Sequence, residues 1–175
     1  ELNIPILFVS TAGIFDGKKE LYDDWDIPNP IGHYARSKYI AEKFVQNHAT
    51  KYLICRAGWM MGGGLNKDKK IVNKIIKQIT LNKKELFIVD DKLGTPTYTH
   101  DFAKNIKLLL ENGLWGLYNM VCSGVTGREE GTHELIKVLG KENEIKITPV
   151  QSDHWKKEYF AERPSSERLI NKKLD

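Results

Sequence analysis

Short apolar runs and amphipathic stretches alternate along the chain with little between them. That alternation limits the available folds more than any other feature. Residues 4 to 10, 51 to 57, 86 to 90, 115 to 121 and 144 to 150 read as strands, and residues 33 to 47, 68 to 81, 101 to 112 and 131 to 139 as helices. Asp101 is placed to cap the third helix and Gly113 to end it. A βαβα order calls for a mostly parallel sheet covered by helices, because parallel neighbours must be joined by crossovers. The 175 residues, 41% of them hydrophobic, suffice for one domain with a real core and not for two. In such sheets ligands sit at the carboxyl ends of the strands. Here those ends carry "STAGIFDG", "GWMMGGG" and "DDKLGTPTYTHD", gathering small residues, hydroxyls and Trp59 at one edge.

Composition removes several function classes. Charged residues make up 29% of the chain and are mixed in sign, so neither a disordered tract nor a repeat array is expected. Much of the net +4 comes from "NKDKKIVNKIIKQITLNKK", where Ile71, Val72, Ile75, Ile76 and Ile79 form a helical stripe and Lys70, Lys74 and Lys77 project elsewhere. This reads as a solvated helix face, and no nucleic-acid partner is expected. "IPILFV" is too short to span a bilayer and has no basic flank, so no membrane association is expected. Cys55 and Cys122 are isolated in apolar runs and read as buried reduced thiols of a cytoplasmic protein. The five histidines make no ligand pair, so no metal site is expected. Asp23, Asp24 and Asp26 read as solvated loop carboxylates.

The glycines between residues 58 and 64 stand where a phosphate loop would be, but they fit no fingerprint. Gly62 and Gly64 give GxG with Lys67 where a third glycine belongs, and Gly58 to Gly63 is followed by Gly64 where a P-loop has lysine. They read as a flexible turn.

"GHYARSKYIAEK" opens the first helix with an oddity. At 3.6 residues per turn, Ser37, Ile40, Ala41, Phe44 and Val45 share an arc with Tyr34 and Lys38, while Arg36, Tyr39, Glu42, Lys43 and Gln46 lie opposite. A lysine on an apolar arc ordinarily snorkels. Tyr34 and Lys38 also follow the strand-end hydroxyls Ser10 and Thr11 by just over twenty residues, and that order allows another use. A free phenol, with a pKa of about 10, is a poor proton donor near neutrality. An ammonium one helical turn away favours the phenolate and makes the tyrosine a workable acid. A hydroxyl across the cleft can steady charge on a substrate oxygen.

This set resembles the active site of the short-chain dehydrogenase/reductase family, with Ser or Thr at a strand end and Tyr-x-x-x-Lys on the next helix. "STAGIFDG", "NPIGHYARSK", "RAGWMMG", "VDDKLGTPT" followed by "HDFAKNI", and the tail "ERPSSERLINKKL" resemble, in order, the signature stretches of the extended subgroup. They are most similar to those of the dTDP-4-dehydrorhamnose reductases and related nucleotide-sugar reductases. The resemblance implies the C-terminal part of a doubly wound, Rossmann-like parallel sheet plus a small substrate-binding subdomain, with residues 1–175 forming a single partial domain and 151–175 its tail. It implies NAD(P)-dependent reduction of a 4-keto-6-deoxy nucleotide sugar, with NADP or NAD as cofactor. Thr11 would polarise the keto oxygen and Tyr34 would protonate it. Lys38 would reach into the cleft, hold the cofactor ribose and tune Tyr34. Gly58 would lie beside the nicotinamide, Trp59 would wall the sugar pocket, and Arg163 would approach the diphosphate. A homo-oligomer is compatible with the resemblance.

Taken without it, Trp59 is equally a core residue and Arg163 a surface loop residue. Two departures keep alternatives open. Ala12 stands where reductases of this type carry Asp, as in many nucleotide-sugar epimerases and dehydratases, and non-catalytic regulatory subunits share the scaffold. The Gly-rich N-terminal half of the family is also missing, and a chain that opens on Glu1 and enters a strand almost at once reads as an internal fragment.

Overall fold

The computed structural model describes residues 4–64, 66–68, 70–155 and 161–174. The apolar "ILFVST" extends as β1 (Ile6–Thr11), and a 3-10 turn over Ala12–Ile14 and a long loop lead to α1 (His33–His48). β2 (Tyr52–Ala57) follows, and after Gly58 the chain extends again as β3 (Trp59–Met61). Next come α2 (Ile71–Thr80), β4 (Glu85–Val89), β5 (Leu93–Gly94), β6 (Pro96–Tyr98) and α3 (Thr99–Glu111). β7 (Gly116–Asn119), β8 (Thr126–Gly127), α4 (Arg128–Val138), β9 (Lys146–Val150) and β10 (Ser166–Glu167) complete the order. All the expected strands and helices form, within a few residues of their expected bounds. The two-to-three-residue strands were not anticipated, and β3 lies inside the stretch read as a flexible turn.

β1, β2 and β7 make a parallel sheet in that order. β2 is covered on both faces, and its alternation divides them. Leu53, Cys55 and Ala57 pack with Phe102, Leu109 and Met120 under α3, while Ile54 packs with Val45 and Leu117 under α1. A second core of Ile75, Leu86, Ile88, Ile136 and Ile145 joins α2 and α4 to the parallel pair β4 and β9, forming the smaller subdomain. β5 pairs parallel to β10 and antiparallel to β8, and β3 pairs parallel to β6. The tail is stitched in by Asn171, which exchanges two hydrogen bonds with the backbone of Val121, and by Thr95, whose hydroxyl bonds the backbone of Leu169 on both sides.

α1 turns a different face inward from the one its apolar pattern suggested. Ile40 and Phe44 are exposed, and the buried line is Ala35, Glu42 and Val45, with Tyr39 packed on the cluster of Ala12, Ile14 and Phe15. The cause is Arg56, which β2 points at α1 and which is 3% exposed. A buried guanidinium must be paired. Glu42, 1% exposed, accepts from its Nε at 3.0 Å and its Nη2 at 2.8 Å.

Other local readings change for similar reasons. α3 begins at Thr99 with Tyr98 as its cap, so Asp101 sits in the first turn. There its charge complements the helix dipole. Gly113 follows the helix with φ 65°, as expected of its end. Asp24 is not solvated. It is buried, and accepts the backbone N–H groups of Asn119 and Lys173, tying the loop to β7 and the tail. Cys55 is buried, whereas Cys122 is only partly covered.

Candidate active site

Thr11 and Ala57 are register partners at the ends of β1 and β2, so both following loops leave from one edge of the sheet. The Thr11 hydroxyl accepts the N–H of Gly13 at 3.2 Å and so caps the short turn. Gly13 occupies a crowded point. A Cβ there would lie 3.0 Å from Oε1 of Glu167, 3.5 Å from Oγ1 of Thr11 and 3.9 Å from Nη1 of Arg163. Three polar groups, one from β1 and two from the tail, therefore converge over a residue with no side chain.

Tyr34 joins them from the first turn of α1. Its half-exposed ring lies 5.2 Å from the Arg163 guanidinium carbon, a cation–π contact. Arg163 makes no ion pair among the described residues, which leaves its charge for an anion. Trp59 is half-buried, with its Nε1 donating to Oε2 of Glu167 at 2.7 Å and Arg128 5.4 Å from its ring. Its indole fits because residue 94 is glycine, where a Cβ would come within 2.4 Å of the ring. Trp59 is thus fixed by contacts with Glu167, Arg128 and Gly94, outside the buried core clusters.

Two expected roles meet a different local reason. The Lys38 ammonium is engaged by β1. Its Nζ donates to the Val9 carbonyl at 2.6 Å and lies 4.3 Å from the Phe8 ring centre, because β1 offers an exposed apolar stretch and a carbonyl within reach of the stem. Gly58 is required by packing, since a Cβ would come 2.0 Å from the Thr95 carbonyl oxygen, and its N–H donates to Thr97. Below the site, Tyr22 donates to Asp16 at 2.7 Å and holds that carboxyl below its usual range, helped by the Lys18 N–H and the Asn29 amide.

Glu167, Arg128 and Gly13 were not singled out from the sequence. Arg128 left one signal, a cation opening a helix whose dipole disfavours it. Glu167 left none, because its contact with Trp59 spans 108 residues of chain.

The family model for the RmlD substrate-binding domain matches residues 1–175. The chain belongs to the RmlD substrate-binding domain family. A dTDP-4-dehydrorhamnose reductase of Mycobacterium tuberculosis is 28% identical to it over 153 residues, 84% of this chain and 49% of that protein. Among solved structures, the dTDP-4-dehydrorhamnose reductase of Yersinia enterocolitica is 35% identical with a TM-score of 0.87, over 94% of this chain and 56% of that one. The Bacillus anthracis reductase in complex with NADP is 27% identical with a TM-score of 0.86, over 96% and 57%. The chain thus spans about half the length of these relatives. Its fold is the mixed α/β, Rossmann-like arrangement of RmlD reductases. Among the described residues no helix is long and apolar enough to cross a membrane.

Proposed function

We infer that the full-length protein carrying this chain is an NAD(P)-dependent reductase that acts on the ketone of a 4-keto-6-deoxy nucleotide sugar, and that residues 1–175 are the C-terminal, substrate-binding half of one extended short-chain dehydrogenase/reductase domain. The observation that carries this reading is the convergence of Thr11, Arg163 and Glu167 at Gly13, with Tyr34 under Arg163. A hydroxyl, a phenol and a guanidinium gathered at one edge of the sheet suit a substrate that has a carbonyl to protonate and a phosphate to neutralise. Thr11 donates to the keto oxygen and steadies the charge that grows there. Tyr34 supplies the proton. Trp59 walls the sugar, and Arg163 meets the diphosphate.

The described residues fit one end of the cofactor. Tyr34 is half open to solvent, Lys38 follows it by one helical turn with its Nζ on the Val9 carbonyl, and Gly58 follows β2 at the same edge. When bound, NAD(P)H supplies the hydride. Lys38 must then exchange the Val9 carbonyl for a ribose hydroxyl. No described segment has the Gly-rich fingerprint that takes a pyrophosphate at a helix N-terminus.

Ala12 favours a second reading, an epimerase or dehydratase, in which cofactor is not consumed. NADPH oxidation by the full-length protein with a panel of 4-keto-6-deoxy nucleotide sugars tests both. Stoichiometric oxidation is the expected result. Sugar conversion without net oxidation gives the second reading, and neither reaction indicates a binding subunit.

A further inference from the structure

We propose that Glu167 determines which sugar the site accepts, with one carboxylate oxygen fixing Trp59 and the other taking a hydrogen bond from the hexose hydroxyl on the carbon next to the ketone. This rests on the nucleotide-sugar reading above. Oε2 is occupied by the indole N–H at 2.7 Å, and no donor among the described residues is bonded to Oε1. Oε1 and the Thr11 hydroxyl flank the same point over Gly13, at 3.0 Å and 3.5 Å. Oxygens on adjacent ring carbons can bridge such a spacing, so a ketone held by Thr11 brings a neighbouring hydroxyl towards Glu167. An ionised carboxylate only accepts, so it selects a donor at that position and is left unpaired by a sugar that lacks one.

Gly13 belongs to the same device. Its φ is not in the left-handed region, so the backbone alone does not demand glycine there. The space it leaves is the space into which Oε1 projects. Arg163 Nη1 stands 3.9 Å from the same point, so the diphosphate that meets its charge and the hydroxyl that meets Oε1 belong to one ligand.

The test uses the full-length protein and two ligands, a nucleotide-linked 6-deoxyhexose and the analogue lacking the hydroxyl next to C4, with affinity measured by calorimetry and turnover measured separately. Glu167→Gln has a single amide oxygen for two donors. It is expected to weaken binding of the hydroxylated ligand roughly 10- to 100-fold, the range for a hydrogen bond to a charged group, and that of the analogue less than about 2-fold. Gly13→Ala, which displaces Oε1 without changing charge, is expected to reduce the same discrimination. Equal losses for both ligands would mean that Glu167 only supports Trp59, and no loss for either would also overturn the proposal. If the wild type discriminates between the ligands but reduces neither keto sugar, the reductase reading fails and the Glu167 assignment stands. If the wild type binds neither ligand, both fall.

Discussion

At the residue scale, Tyr34 and Cys55 make opposite use of their surroundings. The Tyr34 ring is gripped by Arg163 through its face, so removing the hydroxyl leaves that contact in place. In the full-length protein Tyr34→Phe is therefore expected to lower kcat by roughly 10²–10³-fold, comparable with losing an oxyanion donor, while the Kd for NADPH stays within about twofold. Near-normal kcat would remove Tyr34 from the chemistry. Cys55 is sealed under α3 and burial pushes its thiol from 9.0 up to about 12. The unfolded chain releases that proton from about pH 9 and the folded chain does not, so the unfolded state binds fewer protons and stability falls as pH rises from 9 to 12. At pH 10 the loss is about 1.4 kcal/mol. Denaturant melts of the chain and of Cys55→Ala across pH 8 to 11 should show the slope flattened in the variant, and parallel curves would refute the assignment.

At the scale of elements, the attachment of α1 to the sheet depends on the Glu42–Arg56 pair. Ser10, Arg56 and Asn119 are register partners across β1, β2 and β7, all nearly fully buried, and Ser10 Oγ, Arg56 Nη1 and Asn119 Oδ1 make no hydrogen bond among the described residues. This polar row lies one residue before Thr11, so the helix carrying Tyr34 and the strand carrying Thr11 meet over it. Removing one partner strands a buried charge. Glu42→Gln is expected to destabilise the fold by about 3–5 kcal/mol. Replacing both partners with apolar residues, Glu42→Leu with Arg56→Met, is expected to restore most of that, since a buried pair seldom outperforms good packing. Urea denaturation of the wild type and the two variants decides the matter, and a mild Glu42→Gln effect would show that the pair is not what orients α1.

At the scale of the molecule, β1 pairs with β2 on one side and with no described strand on the other. Ile6, Leu7 and Val9 are all exposed, and Ile40 and Phe44 stand out from the neighbouring α1. Such an edge invites another strand. The 175-residue chain by itself is expected to self-associate with rising concentration and to show no micromolar affinity for NADPH, since its described residues carry no Gly-rich turn at a helix N-terminus to take the pyrophosphate. Sedimentation and an NADPH titration on the same sample test this. Micromolar binding by a monomer would require a different cofactor site.

How much the sequence determined follows from the range of the forces involved. The strand and helix order, the parallel sheet and the edge at which its loops gather were legible because hydrophobic period and turn chemistry are local, and Thr11, Tyr34 and Arg163 could be named as candidates because each sits in a contiguous motif. The inward face of α1 was not legible. Glu42 is polar in the sequence and is buried only because Arg56, fourteen residues away, faces it from β2. The engagement of Lys38 with Val9, the burial of Asp24 and the pairing of Glu167 with Trp59 likewise join residues 29 to 149 positions apart. Each depends on a charged or polar group finding its partner after the chain has folded, and no local pattern encodes that.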